Sequence, residues 1–176
     1  MTLEFELNEQ DFLDFQLFTA SQSQKISRKK KRGLILWTPL FIVLSVFYYF
    51  DYNNFMAMLF GVLAIVYGLF YSKLFVWQYK RYYKTYVKEN FSYRFGEKAY
   101  VEINNQTIYV KDKTGETTIN VSEIEKIDET EKHFFVKIKS GVSLIIPKNR
   151  IQTSDEVRAN LETLGFNVNK VICKWK

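Results

Sequence analysis

The chain has few side chains that could carry nucleophilic or metal chemistry. Its 176 residues include one histidine, His133, and one cysteine, Cys173. A Ser-His-Asp triad would have to use His133, which begins a predicted strand beside Glu131 and Lys132 without a recognisable nucleophile motif. We therefore interpret His133 as an ordinary turn or strand-edge residue. One His and one Cys also exclude a histidine-rich or multi-cysteine metal site.

Phosphate-binding loops and functional carboxylate pairs are equally hard to find. Neither GxxxxGK[ST] nor GxGxxG occurs in the sequence, so the usual nucleotide-phosphate loops are absent. An acidic cluster is interleaved with Ile124 and Ile127, which favours the solvated side of a strand and turn over a functional pair or a hard-cation site. It comprises Glu123, Glu125, Asp128, Glu129 and Glu131. We expect no cofactor, no bound metal and no enzymatic activity.

Lys148 and Arg150, just after Pro147, are the soluble residues best suited to contact a partner. Two cations in a loop that leaves a strand can meet a lipid phosphate or an acidic protein segment. The alternative is a basic turn that only faces solvent. We predict a partner or headgroup contact at these two residues.

Two apolar blocks dominate the chain, although the mean hydropathy of −0.19 conceals them. The runs 33–50 and 55–72 each contain 18 residues without a charge. As helices they rise roughly 27 Å, close to the ~30 Å hydrocarbon thickness of a bilayer. Burying both in a soluble core would need more than the roughly 80 residues that follow. The sequence therefore predicts transmembrane helices over 33–52 and 55–77. We interpret the first span as an uncleaved membrane anchor and not a signal peptide, because no small-residue cleavage site follows it.

Basic residues flank both apolar blocks, whereas the short connector between the blocks has none. The positive-inside rule then places both termini in the cytosol. The juxtamembrane basic residues are Arg28, Lys29, Lys30, Lys31, Arg32, Lys80, Arg81 and Lys84. Interleaved aromatics in the segment 77–86 suit the headgroup layer, and the lipid bilayer is the expected partner. Nucleic acid is not expected, because membrane topology already accounts for these charges.

Four small residues recur along the second span at intervals of four, three and four. They are Ala57, Gly61, Ala64 and Gly68. Such a face lets another helix approach closely. The other helix is either the first span of the same hairpin or a second protein, which leaves a homo-oligomer open.

Beyond residue 90 the pattern changes to short alternating runs separated by turn signals. Predicted strands are Phe91–Phe95, Tyr100–Ile103, Ile108–Val110, Thr117–Val121, Ile124–Ile127, Phe134–Ile138 and Val142–Ile146. A helix capped near residues 153–155 should run to Leu164 with Val157 and Leu161 on one face, and Gly165 should end it. About seven strands followed by a helix is the order of a pleckstrin-homology-like barrel with the helix closing one end.

The N-terminal residues form a further small element. Thr2 to Leu7 alternates like a strand, and Asn8 can cap a helix whose apolar side includes Phe12 and Phe15. That side must be buried, so we expect this element to pack on the C-terminal domain or on the juxtamembrane segment.

Several of these stretches together resemble the YcxB-like proteins. They are FELNEQDFLDFQLF at 5–18, the double span behind a basic run, VSEIEKIDETEKHFFVKI at 121–138 and IIPKNRI at 145–151. The resemblance implies a two-span protein of the bacterial plasma membrane with a pleckstrin-homology-like C-terminal domain, and it supplies no catalytic residues. Val121 stands where members often have Trp, which puts any site built on that Trp in doubt.

The sequence thus predicts an α+β membrane protein, a two-helix transmembrane hairpin with a cytosolic pleckstrin-homology-like barrel. The predicted segments are an N-terminal strand and helix (1–24), a basic run (25–32), the spans 33–52 and 55–77, a helical extension (78–90) and the C-terminal domain (91–176). We expect a non-enzymatic interaction module that binds a protein segment or lipid headgroup. The alternative is an accessory subunit of a membrane transporter complex.

Overall fold

The computed structural model describes residues 1–151, 153–173 and 175. Helices α1 to α4 and strands β1 to β8 are numbered along the chain. They are β1 Thr2–Glu6, α1 Glu9–Gln22, α2 Gln24–Phe50, α3 Asn54–Phe91, β2 Lys98–Ile103, β3 Thr107–Asp112, β4 Gly115–Asn120, β5 Ile124–Glu129, β6 His133–Ile138, β7 Ser143–Pro147, α4 Ser154–Thr163 and β8 Val168–Lys170. Short 3-10 turns follow α3, β4 and β7.

The chain divides into two compact units. The first, which we call the sheet unit, combines Met1–Phe18 with the described residues from Lys84 to Cys173. The second, the helical unit, contains Thr19–Tyr83 together with Trp175. The sheet unit is therefore discontinuous in sequence, because the apolar helices are inserted between its first strand and its second.

Two four-stranded sheets make up the sheet unit, in the orders β1-β2-β3-β4 and β7-β6-β5-β8. All neighbouring strands are antiparallel except β8, which runs parallel to β5. Strand β1 alternates exposed and buried residues because Leu3 and Phe5 face the core, paired with Val101 and Ala99 of β2. This period of two is what a strand with one solvated face requires.

The α+β class is confirmed, with two long apolar helices and largely antiparallel sheets. The described strands form two separate sheets and not one closed barrel. The predicted N-terminal strand is confirmed as β1, and it packs where we expected, on the C-terminal domain.

The predicted strand Phe91–Phe95 is wrong. Helix α3 continues to Phe91, and a 3-10 turn follows at Ser92–Arg94. Phe91 and Phe95 are still partly buried against the core, Phe91 at the end of the helix and Phe95 just after the turn. Alternation over five residues is too short to outweigh propagation of a long helix. The place of that predicted strand in the sheet is taken by β1.

Helix α4 has the predicted buried face. Val157 and Leu161 are fully buried and Leu164 is 7% exposed. Gly165 follows at φ 86°, the left-handed conformation that ends helices, so its predicted role as terminator is confirmed. Thr153 precedes the helix without a side-chain capping bond.

In the helical unit, α2 and α3 are joined by a hydrogen-bonded connector. The Tyr52 N–H donates to the Tyr49 carbonyl and the Asn53 N–H to the Tyr48 carbonyl, which is the Schellman pattern, with Tyr52 at φ 57°. Asn53 Oδ1 then accepts from the Met56 N–H and caps α3. Both helices are long and apolar enough to cross a membrane by length and composition.

Candidate functional site

A reciprocal pair of hydrogen bonds begins α1. The Asp11 N–H donates to Asn8 Oδ1 at 3.0 Å, and the Asn8 N–H donates to Asp11 Oδ2 at 2.8 Å. This is a capping box, with Asn at the cap and Asp three residues later. It confirms the predicted cap at Asn8 and fixes the position of the Asp11 carboxylate.

Asp11 is also the centre of a buried charged cluster. Its Oδ1 accepts a hydrogen bond from His133 Nε2 at 2.8 Å, and its Oδ2 lies 2.6 Å from Arg150 Nη1. The same guanidinium nitrogen donates to the Glu6 carbonyl at 2.5 Å. Asp11 and His133 are only 4% and 3% exposed. The cluster therefore joins α1 and the end of β1 to β6 and to the turn after β7.

Hydrogen bonding outweighs burial at Asp11. Burial alone would raise the pKa of this carboxyl, but hydrogen bonds from His133, the Asn8 N–H and Arg150, with the Arg150 charge, leave its pKa below the ordinary value. Asp11 is thus an ionised acceptor, and His133 Nε2 carries the proton it donates.

The Asp11–His133 pair has the form of an acid-base dyad, and Thr130 and Phe135 are among its described neighbours. A catalytic histidine needs a nucleophile or substrate within reach of its second nitrogen. The Thr130 hydroxyl bonds to the His133 backbone and not to the ring, while the Phe135 ring stacks on the imidazole at 5.4 Å. Both members are buried, and their hydrogen bond links α1 to β6.

A second ion cluster surrounds Glu129 at the end of β5. Lys148 Nζ lies 2.5 Å from its Oε1 and 4.6 Å from the Phe134 ring centroid. Arg158 Nη2 of α4 lies 3.0 Å from Oε2, an ion pair that lacks the alignment of a hydrogen bond. The Glu129 side chain is 9% exposed. This cluster ties α4 and the turn after β7 to β5.

The two cations predicted as partner contacts thus have intramolecular partners. The Lys148 and Arg150 side chains are 19% and 27% exposed, so each keeps a small accessible part. An external phosphate or carboxylate would have to compete with Glu129 or Asp11. Their role in binding a partner stays a prediction.

The interpretation of the acidic cluster at 123–131 as a solvated face is wrong for two of its members. Asp128 and Glu129 are 3% and 8% exposed, and Asp128 pairs with Lys126 at 2.5 Å. At Glu129 the covering groups are Lys148 from the turn after β7 and Arg158 from α4. Three other members, Glu123, Glu125 and Glu131, are exposed as expected. Among the described residues, no group of three His, Cys, Asp or Glu side chains is placed to hold a metal ion.

The predicted juxtamembrane cations lie on α2 and α3. Residues 28–32 belong to the same helix as the apolar run that follows them. Lys80, Arg81 and Lys84 lie on α3, which continues without a break to Phe91. Arg81 also covers the Trp77 ring at 5.9 Å from the centroid.

The small residues of α3 face α2. Ala57 and Ala64 are 8% and 7% exposed, and the Ser45 hydroxyl donates to the Ala57 carbonyl at 2.7 Å. A methyl group at Gly61 would lie 3.2 Å from Ser45 Oγ, and one at Gly68 would lie 3.9 Å from Thr38 Cγ2. This face therefore packs on α2 of the same chain, and a homo-oligomer stays a prediction.

Gly33 of α2 is a closer approach that we did not single out from the sequence. A methyl group there would come within 2.0 Å of the Tyr71 hydroxyl oxygen. Its position, where the basic run meets the apolar run, was the available signal, because a glycine inside a helix usually has a packing reason.

Comparison with known families gives a match within the sheet unit. The family model described as YcxB-like protein matches residues 103–161, from the end of β2 into α4. The resemblance inferred from the sequence is therefore confirmed over this segment. The segment contains His133, Glu129, Lys148 and Arg150, whereas Asp11 lies outside it. Comparison with curated proteins and with solved structures gives no match.

Proposed function

We propose that this chain, whose residues 103–161 match the YcxB-like family, is a membrane-anchored, non-enzymatic interaction module. Helices α2 and α3 cross the bacterial plasma membrane as a hairpin, and both termini lie in the cytosol. The sheet unit is a pleckstrin-homology-like domain that binds a protein segment or a lipid headgroup close to the cytosolic leaflet.

The observation that carries this proposal is the pairing of β1 with β2. Five consecutive residue pairs join them, from Thr2↔Glu102 to Glu6↔Lys98. One strand precedes the apolar helices and the other follows them, so a folded sheet unit requires both ends of the hairpin on one side of a bilayer. A topology with the termini on opposite sides would break this sheet.

The surface of the helices supports the membrane assignment. In the most apolar 18-residue stretches of α2 and α3, 0% and 11% of the residues are buried. The core helix of a soluble protein would be mostly covered, and exposed apolar surface of this extent is rare in soluble monomers. A bilayer supplies the missing apolar surroundings.

The strand order supports the pleckstrin-homology-like assignment. Strands β1 to β4 form one sheet, β5 to β7 form consecutive strands of a second, and α4 follows them. Its buried residues Val157 and Leu161 belong to the common core. In this chain the first strand, β1, precedes the hairpin in sequence and the other strands follow it. Strand β8 is an additional strand that pairs with β5 at the edge of the second sheet.

Tethering is the proposed mechanism. Confinement next to the membrane raises the effective concentration of the domain towards membrane partners, so a site that is weak in solution still binds. The two covalent connections, one through α1 and one through α3, restrict the domain more than a single flexible linker would.

The experiment places a photoreactive amino acid at Asn149, in native membranes. Asn149 is exposed and lies between Lys148 and Arg150, so both ion pairs remain intact. The control probe replaces Asn105, an exposed asparagine in the turn between β2 and β3. Capture of the same protein or lipid at 149 but not at 105 supports the proposal. Equal labelling at both positions, or none at 149, contradicts the 148–150 turn as the binding surface.

A further inference from the structure

The helical unit contains an open groove of about 660 Å³ at the boundary between the basic and apolar parts of α2. One wall is formed by α2 and the other by α3, and all the residues that line the groove lie within the helical unit. The α2 wall carries Lys29 and Arg32 followed by Leu36, which lie on one helix face because they are spaced by three and four. The groove therefore changes from cationic to apolar along its length.

The α3 wall also combines apolar and polar side chains. Leu74 and Phe75 supply apolar surface, while Tyr71, Trp77 and Gln78 place a hydroxyl, an indole and an amide beside it. No Asp or Glu is among the described residues that line the groove. The positive charge of Lys29 and Arg32 is consequently not neutralised within it.

These features define the chemistry of the ligand. A negatively charged group suits the cationic end, and a hydrocarbon chain suits the walls beyond it. Basic pockets between transmembrane helices on the cytoplasmic side bind anionic lipid headgroups for this reason. Leu74 and Phe75 of α3 supply apolar wall near the cations, and the groove then continues to Leu36 of α2, in the direction that an acyl chain takes from the headgroup layer into the bilayer.

We propose that this groove binds one anionic glycerophospholipid, with its phosphate on Lys29 and Arg32 and an acyl chain along Leu36 and Leu74. The inference rests on the proposed membrane insertion and concerns a site separate from the sheet unit. It differs from general attraction of the basic run to anionic membranes, because two particular cations among neighbours of equal charge hold the lipid.

The same helix provides the matched control. Arg28 and Lys31 are exposed members of the basic run that do not line the groove. The test variant is Lys29→Gln with Arg32→Gln, and the control variant is Arg28→Gln with Lys31→Gln. Each pair removes one Lys and one Arg from neighbouring positions, so general electrostatic attraction falls equally in both.

The full chain, released from membranes in mild detergent, is titrated with phosphatidylglycerol and with phosphatidylcholine, and bound lipids are counted by native mass spectrometry. The wild type should retain one phosphatidylglycerol in preference to phosphatidylcholine. The groove variant should lose this preference by several-fold to about thirtyfold, and the control variant should keep it. Inorganic phosphate in a parallel titration should not displace the lipid, because it lacks the chain.

Equal loss in both variants, loss in neither, or full displacement by inorganic phosphate would overturn the inference. Membrane insertion is measured separately by resistance to alkaline extraction. A wild-type chain that is extracted would overturn both the proposed function and the lipid site. An inserted chain without the lipid preference would overturn the lipid site alone.

Discussion

His133 on β6 and Asp11 on α1 form a buried hydrogen-bonded pair, with Nε2 and Oδ1 2.8 Å apart, although they are 122 positions apart in sequence. The apolar hairpin lies between them along the chain. The pair therefore joins the two sequence segments of the sheet unit by side chains, as the β1–β2 ladder joins them by backbone.

Stability of the sheet unit should depend on the charge of Asp11. The pKa of Asp11 is lowered in the folded protein, so its stabilisation is present above the unfolded pKa of about 4 and is lost as pH falls through the folded pKa. We expect Asp11→Asn to reduce the free energy of unfolding by about 1–3 kcal/mol near neutral pH. The deficit relative to the wild type should shrink as the pH falls into the acid range.

The measurement is the urea midpoint by near-UV circular dichroism in detergent micelles, at about pH 7 and about pH 3. Asp14→Asn is the control, because Asp14 lies one turn along α1, where its Oδ1 accepts an exposed hydrogen bond from the Gln10 side-chain amide. A constant Asp11→Asn deficit at both pH values would show that lost geometry, and not charge, causes it.

Sequence reasoning located the elements of this protein better than their partners. The alternation in β1 and the spacing of Val157 and Leu161 were sufficient because a buried face imposes a fixed period. Asn8 indicated a helix cap, but nothing local indicated that Asp11 would complete the capping box and also meet His133. Such a contact depends on long-range packing, which a single sequence does not reveal.

The burial of Glu129 was hidden for a similar reason. It follows Glu125 and Asp128 in a stretch that looks solvated, and only the placement of α4 and of the turn after β7 brings Arg158 and Lys148 to it. At Phe91 a local pattern gave a wrong prediction. Its alternation with Tyr93 and Phe95 matched a strand, whereas helix α3 continues to Phe91.

Neutralising Glu129 should destabilise the sheet unit far more than neutralising Glu125. Glu129→Gln leaves Lys148 and Arg158 without the carboxylate that they share. The Glu129 side chain is only 9% exposed, so water can replace that carboxylate only in part. We expect a loss of about 1–3 kcal/mol. Glu125→Gln, on the same strand, removes only an exposed pair with Lys137 and should change the urea midpoint little. Equal effects of the two substitutions would mean that the Glu129 cluster does not contribute as an ion network.

The β1–β2 register can be tested with cysteines in isolated membranes. In a Cys173→Ser background, Thr2→Cys with Glu102→Cys places two thiols on directly paired residues, so mild oxidation should form an intramolecular disulfide. Thr2→Cys with Lys98→Cys is the control, because Lys98 pairs with Glu6 and lies about 13 Å further along the strand.

The readout is a shift in mobility on non-reducing gels. A disulfide in the first variant alone would establish the register and also place the residues before and after the hairpin on one side of the membrane. Failure of both variants to crosslink, in protein that remains inserted, would contradict the split sheet unit and the proposed topology.

Two glycines of the hairpin should respond differently to alanine. A methyl group at Gly33 meets the Tyr71 hydroxyl at 2.0 Å, whereas one at Gly68 meets nothing closer than 3.9 Å. Gly33→Ala therefore has to displace the Tyr71 ring, and we expect a lower thermal midpoint in detergent by a few degrees, about 2–4 °C for each kcal/mol lost. Gly68→Ala should be neutral or slightly stabilising, because alanine favours the helix. Combining Gly33→Ala with Tyr71→Ala should remove the clash, so that Gly33→Ala no longer lowers the midpoint in that background. If Gly33→Ala lowered the thermal midpoint equally with and without the Tyr71 ring, a clash with Tyr71 would not be the cause of the effect.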